Sequence, residues 1–527
     1  MSLIPLHAND DREKAVVANL YRSLFATREV DDTAKEVLDA LAMTGLDLRD
    51  DRLRATFQNT RELGANELLT EEGFAEMVSS DELSLVQRAL TGGLAIPDFE
   101  TFKAQITELF EECRRDHDGR VASYIPQLAR VNPEMYALGL CTVDGQRMSL
   151  GDDEERYCVQ STCKPVNYAV ALDLLGREKV HQHVGREPSG RSFNELTLNG
   201  EGLPHNPMIN SGAIMCSSLI NPDAQLADRF DFIMQKWRDL SGGRSASFDN
   251  TVYLSEKETA DRNFALAYFM RENGAFPPNT DVIETLDFYF QCCSVTVDVR
   301  QMSMIAATFA NGGVCPTTNR RVFKTETVKD CLSHMYSCGM YDSSGEFAFT
   351  VGIPAKSGVS GALMLVVPGV CGLAIWSPRL DKHGNSVRGV RFAERLVETF
   401  AFHTYANMVD SHSLIDPTVT EVVRLSDASS YLCAAAARGD LSELRRLIAG
   451  GANVSLCDYD GRTALHLAAS EGQEGAVRLL IKAGCALTPT DRWGNTPLDD
   501  AKREGRENIV NLLTTQLKCS TAIAKAG

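Results

Sequence analysis

Ser161-Thr162-Cys163-Lys164-Pro165 and, far downstream, Lys356-Ser357-Gly358 decide how this chain is read. Residues three apart on a helix share a face, so a Ser opening a helix places the Lys amine one turn along, over its hydroxyl. A Ser hydroxyl is a weak nucleophile, and a desolvated, neutral Lys takes its proton. Pro165 supports the geometry. Proline is tolerated in a first helical turn and breaks a helix interior, so the helix is predicted to start close to Ser161. Alone, Ser-x-x-Lys also describes an exposed helix turn; its weight comes from its order and spacing with Lys-Ser-Gly.

Composition narrows the classes. The 527 residues suit about three domains. With 44% hydrophobic and 24% charged residues, the chain reads as globular, large enough for several cores. A net charge of −18 argues against nucleic acid or an anionic membrane as the main partner. No run of eighteen apolar residues is present, so no membrane insertion is predicted. Met1 to Arg12 carries Asp10 and Asp11 and no Arg-rich amphipathic stretch, which reads as neither secretory signal nor mitochondrial presequence and would leave the chain cytoplasmic. The fifteen cysteines read as reduced thiols, with Cys158, Cys163, Cys292 and Cys293 in apolar surroundings as small core residues. The ten His are scattered, with no His-Glu-x-x-His, so no catalytic metal is predicted.

Three regions follow from periodicity. Residues 1 to 120 read as helical. Val17, Leu20, Tyr21 and Leu24 form one stripe, Leu83, Val86 and Leu90 a second, and Phe102, Ile106, Leu109 and Phe110 a third, opened by Pro97 and an Asp98 cap. The helix pairs are EF-hand-like, but Asp116 to Gly119 fails as a calcium loop, because Arg114 would be its first ligand and Ile125 its twelfth. From 121 to 420 an α+β arrangement is predicted. A hairpin runs through Asp144-Gly145, and Ala362 to Val367 pairs with Cys371 to Trp376 across Pro368-Gly369. Helices such as Asp281 to Cys292 lie between these sheet segments. From 427 to 515 a 33-residue period relates Gly439, Gly472 and Gly505, and Thr463-Ala464-Leu465-His466-Leu467-Ala468 and Thr496-Pro497-Leu498 match the ankyrin box. That α-helical stack predicts a protein partner. Residues 516 to 527 read as a flexible tail.

The paired motifs resemble the active-site frame of penicillin-binding proteins and β-lactamases. The segments around them are more specific. Tyr124-Ile125-Pro126-Gln127-Leu128, Pro204-His205-Asn206-Pro207-Met208-Ile209-Asn210, Asp261-Arg262-Asn263-Phe264-Ala265 and Ser337-Cys338-Gly339-Met340-Tyr341-Asp342 resemble the serine-dependent glutaminases. With the helical N-terminal region and the ankyrin repeats, the whole chain is similar to the animal kidney- and liver-type enzymes. The resemblance implies a β-lactamase-like catalytic domain that hydrolyses L-glutamine to glutamate and ammonia through a γ-glutamyl-serine ester, with no organic cofactor. It implies Ser161 as nucleophile, Lys164 as base and Tyr341 as proton relay. Tyr124, Asn210, Glu256, Asn263, Tyr289 and Tyr341 would line the glutamine pocket, and the Ser161 and Val359 N–H groups would form the oxyanion hole. It also implies inorganic phosphate as activator, assembly into homotetramers or filaments, and a mitochondrial location.

Each residue has a blander alternative. Glu256, in Ser255-Glu256-Lys257-Glu258, reads as part of a solvated face; Asn210 and Asn263 as turn or capping residues; Tyr289, in Phe288-Tyr289-Phe290, as core. Two departures stand out. The Ser-Asp-Asn of β-lactamases is absent, and Ser192-Phe193-Asn194 mimics it without a catalytic role, the resemblance pointing to Asn210 instead. Gly190 to Pro204, an interface loop in the animal family, here contains Thr197 in a mostly apolar stretch. The rival readings are a β-lactam- or peptide-directed hydrolase on the same frame, a non-enzymatic ankyrin scaffold, and a glutamine-dependent amidotransferase, for whose synthetase domain no segment remains.

Overall fold

The computed structural model describes residues 17, 18, 21, 33–63, 69–190, 195–406, 414–419, 421–449 and 452–526. It divides into two units, Met1–Thr418 and Val419–Gly527. Leu20, Leu24 and the Ser192-Phe193-Asn194 mimic lie outside the described residues.

The eight named strands of the first unit are β1 (Ala137–Thr142), β2 (Arg147–Gly151), β3 (Tyr157–Cys158), β4 (Ser247–Phe248), β5 (Val295–Val297), β6 (Ala355–Gly358), β7 (Ala362–Val367) and β8 (Cys371–Trp376). Five make an antiparallel sheet in the order β2-β1-β8-β7-β6, so the Lys-Ser-Gly motif occupies an edge strand. β1, β7 and β8 are buried along their whole length, so their period of two does not show as polarity. Leu138, Leu140, Leu363, Leu365, Leu373 and Ile375 face one way, beneath Phe102, Ile106 and Phe110 of the Phe99–Arg114 helix and Phe392 and Leu396 of the Val387–Thr399 helix. Ala137, Cys141, Met364 and Ala374 face the other way, beneath the Val299–Ala310 helix. Gly139 and Gly372 let that helix lie flush on the sheet. A Cβ at Gly139 would stand 2.3 Å from the Val299 carbonyl oxygen, and one at Gly372 2.1 Å from the Ala307 nitrogen.

The described part of the N-terminal helical region has an apolar cluster of its own, between Val17 and Leu94, within the same compact unit as the sheet. Its third stripe, capped by Asp98 accepting from the Thr101 N–H at 3.1 Å, is one layer of the sheet core. Gln146, just past the Asp144-Gly145 turn, ties in the segments before that helix: its amide donates to the Thr44 and Ile96 carbonyls at 2.7 and 2.8 Å. The Asp116 carboxylate of the rejected calcium loop pairs with Arg391 at 3.3 Å. A second sheet, β3-β5-β4, carries the turn that holds Ser161: the Val159 N–H donates to the Val295 carbonyl at 2.9 Å.

In the second unit the 33-residue period appears as helix pairs, among them Ala464–Glu471 with Glu474–Lys482. Gly439, Gly472 and Gly505 hold φ of 68°, 78° and 67°, the left-handed conformation that ends each first helix without a Cβ clash. Thr463 and Thr496 each form a capping box. His466 Nδ1 accepts from the Thr463 N–H at 3.1 Å, which leaves its Nε2–H to reach the Asn495 carbonyl of the next repeat at 3.1 Å. Between 516 and 526, where a flexible tail is expected, the Glu507–Ala526 helix continues; the stretch holds good helix formers and neither Gly nor Pro.

Replacing Gly372 by Ala is expected to destabilise the first unit by about 1–3 kcal/mol, because its methyl meets backbone rather than a movable side chain. Urea denaturation followed by circular dichroism checks this; an unchanged midpoint would mean that the helix does not sit flush.

Candidate active site

Ser161 lies in a 3-10 turn, Gln160–Cys163, that runs directly into the Lys164–Leu175 helix with Pro165 in its first turn. Lys164 Nζ stands 3.1 Å from Ser161 Oγ and donates to Asn210 Oδ1 at 2.7 Å. The Asn210 amide donates in turn to Asn263 Oδ1 at 3.2 Å. Both asparagines occupy first turns of helices, Asn210–Ser218 and Asp261–Glu272, as the blander reading had it, yet their side chains are spent on this chain of contacts. Lys164 is 1% exposed, and burial lowers its pKa to about 8, so its neutral form is accessible near physiological pH.

Glu256 is buried, whereas Lys257 and Glu258 beside it face solvent, so the solvated-face alternative fails for this one residue. Its Oε1 accepts from the Tyr124 hydroxyl at 2.5 Å and from Gln160 Nε2 at 3.0 Å. Burial raises its pKa, while those two hydrogen bonds oppose the rise. Tyr289 is buried as its aromatic neighbours suggest, but it also lines the cavity. That cavity, of about 220 Å³, is lined by Tyr124, Ser161, Asn210, Glu256, Asn263, Tyr289 and Val359. It is smaller than the clefts of roughly 300–1,000 Å³ that take drug-sized ligands, and its walls offer one buried carboxylate and one guanidinium among neutral amides and phenols.

Tyr341 comes from the other side. Its hydroxyl interacts with Ser161 and with the Val359 backbone, and burial raises its pKa, so it is a protonated phenol at neutral pH. Val359 follows β6 in the tight turn to β7, which the Gly361 N–H closes by donating to the Gly358 carbonyl at 2.9 Å. Gly358 abuts the serine turn: a Cβ there would be 3.0 Å from the Val159 carbonyl oxygen.

Four features were not legible in the motifs. Gln160 and Tyr341 hold φ of 47° and 52°, rare for residues with a Cβ and costing on the order of 1–3 kcal/mol each. They flank Ser161 in space, and Gln160 bridges to Glu256. Arg262 is the single cation among the residues lining the cavity, and Cys293 lines it too. Lys356 was visible as part of Lys-Ser-Gly but without a task. Fully buried, its Nζ donates to the Gly339 and Ser357 carbonyls at 3.0 and 2.7 Å and lies 4.5 Å from the Tyr341 ring centroid, which clamps the Tyr341 segment to β6. Burial, and then the neighbouring Lys164, push its pKa well below the ordinary lysine value. The Thr197 hydroxyl lies 3.2 Å from His205 Nε2.

Comparison with known proteins agrees with this geometry. The Glutaminase family profile matches residues 119–405, and a profile of ankyrin repeats in three copies matches 432–522. The chain is 46% identical over 432 residues to the mitochondrial glutaminase liver isoform of Mus musculus, covering 81% of this chain and 72% of that one. It is 41% identical over 304 residues to a glutaminase of Nostoc, covering 58% of this chain and 90% of that protein. Among solved structures, Mglu in its glutamate form superposes with a TM-score of 0.54 at 38% identity, covering 56% of this chain and 68% of the other. The chain therefore belongs to the glutaminase family, hydrolases of the amide C–N bond of glutamine, with ankyrin repeats following its catalytic domain.

Proposed function

We propose that this glutaminase works through a γ-glutamyl ester on Ser161. The observation that carries the reading is the buried Lys164 amine 3.1 Å from the Ser161 hydroxyl, beside a cavity of amino-acid size. Glu256 pairs with the substrate ammonium, and Asn210 and Asn263 hold its other polar groups. Ser161 Oγ attacks the side-chain amide carbon while its proton moves to neutral Lys164. The Ser161 and Val359 N–H groups bind the oxyanion, a contact whose loss typically costs about 3 kcal/mol of transition-state stabilisation. The C–N bond then breaks as Tyr341 gives its proton to the departing ammonia and takes up the one held by Lys164, which leaves Lys164 neutral again. Water, deprotonated by Lys164, cleaves the ester and releases glutamate. No cofactor enters this scheme.

The mitochondrial liver isoform among the relatives supports a mitochondrial location for this chain as well. Activation by inorganic phosphate and assembly into tetramers or filaments rest on the family resemblance, and the ankyrin repeats are the candidate docking site for a protein partner. Light scattering with and without phosphate reads the assembly state directly.

Ser161→Ala is expected to lower ammonia release from glutamine by roughly 10³-fold or more with the melting curve unchanged. Retained activity would remove Ser161 from the mechanism. Because the base must be neutral and its pKa is lowered to about 8, kcat/KM is expected to fall about tenfold per unit as pH drops below 8 and to level off above it. A profile flat from pH 6 to pH 9 would contradict Lys164 as base. Glu256→Gln is expected to raise the glutamine KM roughly tenfold or more, as loss of a charged hydrogen bond implies, with a smaller effect on kcat. Steady-state kinetics distinguishes this from an effect on kcat alone.

A further inference from the structure

Cys163, inside the Ser-x-x-Lys motif, and Cys293, which ends the Val282–Cys293 helix, bring their Sγ atoms within 3.9 Å. Both are buried, and Cys293 also lines the 220 Å³ cavity, so a small reagent entering that cavity meets its sulfur. Neither thiol enters the hydrolysis proposed above. A disulfide requires the sulfurs to close from 3.9 Å to about 2.05 Å, so its formation would displace the turn or the helix end that carries them. We propose that Cys163 and Cys293 are a peroxide-sensitive dithiol whose closure into a disulfide switches off the neighbouring serine; this rests on the cavity being the substrate site.

The step balances. The Cys293 sulfur attacks one oxygen of hydrogen peroxide, the O–O bond breaks, and a sulfenic acid and one water result. The Cys163 sulfur then attacks the sulfenic sulfur, the S–O bond breaks, the S–S bond forms and a second water leaves. Two thiols have lost two electrons and two protons, which reduce one peroxide to two waters. In the resting enzyme the contact with Cys163, together with burial, raises the Cys293 pKa and keeps it a thiol. Only the thiolate attacks peroxide, so the first step is slow while the thiol stays protonated.

Closure acts on catalysis through position. Cys163 is adjacent to Lys164 and two residues from Ser161, in a turn that ends where the helix begins. Drawing its sulfur toward Cys293 rotates that turn and disturbs the 3.1 Å contact between Lys164 and Ser161. A displacement of about 1 Å at a reacting group can cost on the order of 10²-fold in rate.

The test treats the full chain with hydrogen peroxide and follows ammonia release alongside non-reducing peptide mass spectrometry. The expected result is a loss of at least tenfold, restored by dithiothreitol, with fragment ions that join Cys163 to Cys293. Cys163→Val, compared with its own untreated sample, should show no dithiothreitol-reversible loss. The proposal is overturned if activity falls with no such link, if the link involves Cys158 or Cys292 instead, or if the link forms and activity stays. Saturating glutamate, by covering Cys293, should slow both changes. Inactivation through the link at an undiminished rate would support the dithiol and overturn the reading of the cavity.

Discussion

An amine taken out of water without a carboxylate to pair with it is the constraint around which the first unit is arranged. Lys164 is buried, and its hydrogen-bond partners are neutral: the Ser161 hydroxyl and the Asn210 amide oxygen. Desolvation weakens the charged form, and a nearby carboxylate would restore it. The one carboxylate lining the cavity, Glu256, is instead engaged by Tyr124 and Gln160. The site thus keeps its carboxyl group and its amine apart, each held by neutral partners.

Holding that arrangement takes two sheets and several helix starts. The small sheet anchors the serine turn through Val159, and the edge of the large sheet presents Val359 opposite. Between them the backbone is forced into left-handed conformations at Gln160 and Tyr341, which only a packed surrounding sustains. Lys356 supplies part of that support by gripping the Gly339 carbonyl, so the second lysine of the paired motifs acts on Tyr341 rather than on the serine. The large sheet can present its edge so exactly placed because Gly139 and Gly372 seat the Val299–Ala310 helix against its centre.

The two units are built on different logics. In the ankyrin unit each contact is nearly local: a threonine caps its own helix, and a histidine reaches the next repeat. Such a structure is written in its period. In the catalytic unit the decisive contacts join residues far apart in sequence, such as Gln160 with Glu256 and Tyr124. Residues 99–114 illustrate the difference. Their helix, its cap and its apolar stripe follow from spacing, but that the stripe is a layer of the catalytic core does not.

What the sequence determined by itself was chemistry and local form. Ser-x-x-Lys with Pro165 specified a hydroxyl and an amine meeting at a helix start; the runs around Asp144-Gly145 and Pro368-Gly369 specified antiparallel strands; the 33-residue period specified the repeats. The family resemblance named the cavity residues, yet composition favoured a solvated Glu256, and nothing in Ser255-Glu256-Lys257-Glu258 distinguishes the buried carboxylate from its exposed neighbours. Only the tertiary structure decided that, along with the inward turn of Gln160, the clamp of Lys356 and the meeting of Cys163 with Cys293. The physical reason is common to all four. Burial, backbone strain and proximity are properties of the space between distant segments, and a motif records which groups are present, not which of them water can reach.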